Sequence, residues 1–229
     1  MTLVDMAGFR LLSRFSGDML YKNSFYLVVN RVLVVLTGFV FWMVATRVYS
    51  VNDVGLAVAF VSSSQLICSF SVFGFDTSII RFFNNYDRSR IFNTSLIVVT
   101  AASLVLGGLY VLGVRYLSPD LAVLQNPLYA AVFLLFTMVL SIATITAQSF
   151  IAMRDAKYSF IQNVLLTLRI PLLIPLLFLG SFGILSATFL AYAGAYVVVF
   201  YFLGRFIELR PRVDLEFIKL SYKFSFGNY

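Results

Sequence analysis

Six long apolar stretches, at about residues 24–49, 54–75, 91–114, 126–149, 158–180 and 183–207, alternate along the chain with short polar turns. Each approaches the roughly 20 residues that a helix needs to cross the hydrocarbon of a bilayer. Backbone amides find no water at that depth, so helices are the expected solution. The pattern predicts an all-α polytopic membrane protein with six transmembrane helices in one bundle over residues 24–207. An arm, residues 1–23, precedes the bundle and a tail, residues 208–229, follows it. In the arm, Phe9, Leu12 and Phe15 interleave with Arg10 and Arg14, the pattern of a helix lying on a membrane surface. It lacks the short apolar core and small-residue cleavage site of a secretory signal, so the first apolar stretch is expected to remain as a span.

The connections predict where helices stop. Val51-Asn52-Asp53-Val54 and the uncharged Leu179-Gly180-Ser181-Phe182-Gly183 read as turns, and Pro119 and Pro127 bound the longest link on the same side. Small residues four apart, namely Gly55, Ala59 and Ser63, then Ser103 and Gly107, then Ala187, Ala191 and Ala195, predict close packing between helices. Such stripes say nothing about cargo.

Charge adds an orientation. All but four of the 17 basic residues fall on one side of the expected membrane: Arg10, Arg14 and Lys22, then Arg81, Arg88 and Arg90, then Arg154 and Lys157, and five more in the tail. Arg47 and Arg115 lie opposite. Short basic loops stay on the side where they are made, so both termini are expected in the cytoplasm of a cell whose plasma membrane holds the chain. Asn93-Thr94-Ser95 fits a glycosylation acceptor but falls on that cytoplasmic side.

Composition narrows the chemistry. With 61% hydrophobic residues and 12% charged ones, the chain cannot form a soluble domain of this size. The net charge of +7 is accounted for by topology and by anionic headgroups, and no basic-aromatic strip for stacking bases lies outside the spans, so nucleic acid is not an expected partner. Cys68 is the one cysteine and there is no histidine, which removes intrachain disulfides, imidazole relays and the usual zinc sites. Neither a carboxylate cluster for divalent metal nor a Walker A pattern is present, so no metal, cofactor or enzymatic activity is expected.

Arg169 stands out, about 11 residues into the fifth stretch. A guanidinium near the midplane costs roughly 2.5–3.5 kcal/mol even on lenient scales. All 10 acidic residues sit in loops, in the arm or tail, or at span ends, so no carboxylate is expected at its depth. Two readings remain open: a water-filled cavity where the cation meets an anionic ligand, or hydrogen bonding to carbonyls freed by Pro171 and Pro175. Those prolines should kink the fifth helix and are candidate hinges. Arg31 lies nearer a membrane face, where it can either line the cavity or snorkel to headgroups. Asn30, Gln65, Gln148, Gln162 and Asn163 are candidate cavity-lining or interhelical polar groups.

Two runs carry a resemblance, Tyr49-Ser50-Val51-Asn52-Asp53-Val54-Gly55 and Gly74-Phe75-Asp76-Thr77-Ser78-Ile79-Ile80-Arg81-Phe82-Phe83. Together they resemble the polysaccharide flippases, exporters of lipid-linked oligosaccharides in the superfamily that includes multidrug extruders. Phe150 to Tyr158 looks like the loop before their fifth helix, and Leu179 to Ile184 like the turn before their sixth. The resemblance covers nearly the whole chain, although its motifs are loose. It implies one lobe of a MATE-like flippase that moves a polyprenyl-diphosphate-linked glycan outward by alternating access. Arg31 and Arg169 are placed to supply the cavity arginines that engage the diphosphate.

Such flippases usually have a second lobe and about twice this length, so a second lobe, as a separate chain or a second copy, is an expected partner beside membrane lipids and the lipid-linked oligosaccharide. The run Phe217 to Tyr229 looks like the approach to an unfinished seventh helix, which favours truncation or splitting over homodimerisation. A non-transporting assembly subunit or inactive remnant is the alternative, and a multidrug-type exporter another. The latter normally needs a buried carboxylate for a cationic cargo, whereas a diphosphate calls for the planar fork of arginine.

Overall fold

The computed structural model describes residues 3–210 and 213–227, and side chains for 24–210 and 213–224. The aromatic and basic side chains of the arm therefore lie outside the described residues. Among those described there is no strand. Across the described residues nine α-helices follow one another: α1 (Leu3–Val48), α2 (Val51–Val72), α3 (Phe75–Phe82), α4 (Arg88–Leu117), α5 (Pro127–Ala152), α6 (Ala156–Leu166), α7 (Arg169–Leu172), α8 (Ser181–Leu203) and α9 (Leu215–Gly227). Five of them, α1 from Ser24, α2, α4, α5 and α8, are long and apolar enough to cross a membrane. The protein is an all-α polytopic membrane protein.

The fifth predicted span is not one helix. It is split into α6, α7 and a 3-10 turn at Leu177–Leu179. Pro171 and Pro175 have no N–H to give to Thr167 and Pro171, and the chain tightens instead. Ile170 N–H donates to Thr167, Leu173 to Ile170, and Leu177 to Ile174, all across three residues rather than four. The second span also ends early. Phe73 (φ 46°) and Gly74 (φ 78°) both turn left-handed and throw α3 off the axis of α2.

Helix starts follow local chemistry. Ser50 caps α2 by accepting from Asp53 N–H at 3.1 Å, Asp87 caps α4 through Ser89 N–H at 2.9 Å, and Asn126 caps α5 through Leu128 N–H at 2.9 Å. Pro127 occupies the first turn of α5, where its missing N–H costs nothing.

The bundle's centre is aromatic. Phe60 of α2 meets Phe133 and Phe136 of α5 edge-on at 5.0 and 5.8 Å, and Tyr110 of α4 stacks on Phe133 at 5.5 Å. The small-residue stripes divide. Ala187, Ala191 and Ala195 are buried as expected, and Gly107 lets α4 come so near α5 that a Cβ there would lie 2.9 Å from Leu134. Gly55, by contrast, has open space around it, and the buried edge of α2 is Val54, Ala57, Phe60, Ser64 and Ile67. The stripe is therefore open at Gly55, while Ala59 is half-buried against the core. Its Ser63 meets the Tyr110 hydroxyl of α4 at 2.9 Å.

The tail forms α9, held on the outside of the basic end. Phe217 is buried between Phe75 and Phe82, at ring distances of 6.0 and 6.5 Å, and the Arg81 guanidinium lies 4.5 Å over Phe224. Asn93 donates to the Glu208 carbonyl at 2.8 Å and Thr94 accepts from Asp214 N–H at 2.9 Å, which ties the linker to α4. The glycosylation-like triplet is thus a structural clasp. Phe217→Ala should cost about 3 kcal/mol of local stability. Tryptic cleavage at the exposed Lys219 and Lys223 should accelerate on the order of tenfold or more, which limited proteolysis in detergent will measure.

Candidate functional site

Three polar or charged rungs join the first and fifth crossings, which run side by side from the basic end. Near that end Asn163 donates to the Asn30 side-chain oxygen at 2.9 Å and Asn30 reaches the Ser159 hydroxyl at 3.4 Å. Midway, the guanidinium carbon of Arg169 lies 4.7 Å over the ring of Phe41. At the far end the Tyr49 hydroxyl donates to the Leu173 carbonyl at 2.7 Å.

Arg169 opens α7, just past the tight turn that ends α6. Gly38 and Phe41, one helical turn apart on α1, form its seat: a Cβ on Gly38 would lie 4.0 Å from Nη2, and the Phe41 ring is 2% exposed. Stacking occupies the guanidinium's flat face and leaves its in-plane N–H groups for other partners. The Nε–H is buried and makes no hydrogen bond. Among the described residues no carboxylate pairs with Arg169; the ion pairs there are Arg90 with Asp87, Lys157 with Asp155 and Arg210 with Glu208. Arg169 is half-buried, so its charge is not sealed off. On α8, Tyr192 stacks on Tyr196 at 6.2 Å and meets Phe136 edge-on at 6.3 Å.

The other candidates separate. Arg31 is exposed on α1 next to the Asn30 rung, and Gln65 is exposed on α2. Gln148 is half-buried on α5. Gln162 is 3% exposed on α6, and its Oε1 finds no partner. Asn30 and Asn163 spend their side chains on each other and on Ser159, an interhelical bond. Pro171 and Pro175 are exposed within the broken segment. The sequence reading overlooked Gly38 and Phe41. A glycine followed three residues later by an aromatic on a neighbouring span is the pattern that would have flagged the seat.

The far end is closed by a second set of contacts. Asp53 accepts from Ser181 N–H at 2.9 Å and is 2.6 Å from the Ser50 hydroxyl, so one carboxylate serves the starts of α2 and α8. Gly180 beside it has φ +57°, and a Cβ there would press within 2.9 Å of Asp53 Oδ1.

Helices of this length around a proline-broken crossing define a multi-pass membrane protein with an interior cation. The chain belongs to the polysaccharide biosynthesis protein family, which it matches over residues 20–227. No curated protein and no solved structure matches it.

If the seat carries energy, Phe41→Leu and Arg169→Gln should not act additively. A double-mutant cycle on denaturant unfolding in micelles is expected to give a coupling of roughly 1–2 kcal/mol.

Proposed function

We propose that this chain is one lobe of a flippase that moves a polyprenyl-diphosphate-linked oligosaccharide from the cytoplasmic to the outer leaflet by alternating access. It works in the plasma membrane with the basic end and both termini in the cytoplasm, and it performs no chemistry on its cargo. The family supports a role in polysaccharide biosynthesis or export. The observation that carries the finer reading is Arg169: a half-buried cation, stacked on Phe41, without a carboxylate among the described residues, and with a buried Nε–H unused. A group so arranged is a receptor for phosphate oxygens, which arginine meets with two parallel donors. Arg31, exposed on α1, is the second diphosphate contact in this reading. A second lobe, from another chain or a second copy, closes the chamber against the exposed side of α1.

The test is transport of a fluorescent polyprenyl-diphosphate glycan across liposomes containing the chain with and without its second lobe. Arg169→Gln should insert normally yet lower the rate by at least about tenfold, and Arg169→Lys should recover only part because a point charge lacks the fork. Wild-type rates in the glutamine variant would return Arg169 to a purely structural role and overturn the reading.

A further inference from the structure

The Leu173 carbonyl lies one helical turn beyond Arg169, where the backbone cannot satisfy it. Its regular donor would be the N–H of Leu177, but that group bonds Ile174 instead at 3.3 Å. Among the described residues, the hydrogen-bond donor to this carbonyl is the Tyr49 hydroxyl, at 2.7 Å. Tyr49 is 7% exposed and Leu173 is fully buried, so water does not replace the tyrosine. The approach is tight on all sides. A Cβ on Gly183 would stand 2.8 Å from the Tyr49 hydroxyl and collide with the Leu176 carbonyl. The turn carrying Tyr49 is itself pinned by Asp53, through Ser50 on one side and Ser181 on the other.

We infer that Tyr49 is a positioning residue for the anion-binding arginine: by holding the Leu173 carbonyl it fixes the register of the broken crossing and keeps Arg169 stacked on Phe41 with its donors aimed at the cargo's diphosphate. This rests on the flippase reading above. The physical reason is that the segment from Thr167 to Gly180 has few regular four-residue bonds to set its conformation, so one external hydrogen bond decides where it sits. Four residues from the arginine, a change of register at Leu173 is passed to Arg169 through α7, itself only four residues long.

The test compares two probes on the purified full chain in nanodiscs: a polyprenyl diphosphate, and the polyprenol without its diphosphate. Tyr49→Phe keeps the ring packing and removes only the donor. It should weaken binding of the diphosphate by about tenfold, the order expected when a buried carbonyl loses its one partner, and leave polyprenol binding unchanged. Equal losses for both probes would mean general loosening, and no loss for either would mean that the bond positions nothing; each result overturns the inference. Arg169→Gln serves as the reference. If it discriminates between the probes and Tyr49→Phe does not, the inference fails alone. If it binds both probes as the wild type does, the flippase reading fails and the role of Tyr49 falls with it.

Discussion

A membrane interior offers a peptide group no water, so every carbonyl released from a helix must find a donor in the protein. In this chain that constraint concentrates in one place. Pro171 and Pro175 make a regular fifth helix impossible, and the segment that replaces it is held from outside, by Asn30 and Phe41 of α1, by Tyr49 just beyond its end, and by the closely packed start of α8 at Gly183. The cation sits there because the backbone is already irregular there. A continuous helix would have aimed Arg169 according to helical periodicity alone, whereas the break sets it at the head of a short new helix against α1.

The interior contacts sort by chemistry. Between α2, α4 and α5 they are mainly aromatic and apolar, built on Phe60, Phe133, Phe136 and Tyr110; hydroxyls such as Thr137 and Ser141 turn back onto their own helix, and Ser63 with Tyr110 makes a polar crossing. Between α1 and the fifth crossing three polar or charged rungs stand beside an aromatic contact of Tyr26 with Phe160 at 6.0 Å. Polar contacts are directional, so they specify a geometry more narrowly than dispersion does. A ligand site on the second interface inherits that precision.

Much of the architecture was legible in the sequence because apolar length is a strong signal and charge in the turns is another. Five spans follow directly from it. The fifth was legible as a stretch and as a kink, but not as three pieces, because the outcome depends on which carbonyls find outside donors, and Tyr49 is more than a hundred positions away. The same holds for Arg169. Its depth and its lack of a carboxylate could be read from the chain, whereas its seat on Gly38 and Phe41 is a property of two helices meeting. Of the stripe on α2 only Gly55 stays open, since small residues permit close approach without requiring it, while Ala59 and Ser63 do meet neighbours. Asp53 shows the reverse case, since a residue legible only as part of a turn also serves a helix that begins far along the chain.

The way α1 is attached has a mechanical corollary. It contacts α2 little and rests chiefly on the fifth crossing, so the first helix is suspended from the interrupted one rather than from the rigid aromatic centre. The first helix is thus coupled to the interrupted crossing more closely than to that centre, and the turn at Ser50 is where the pair joins the rest of the bundle.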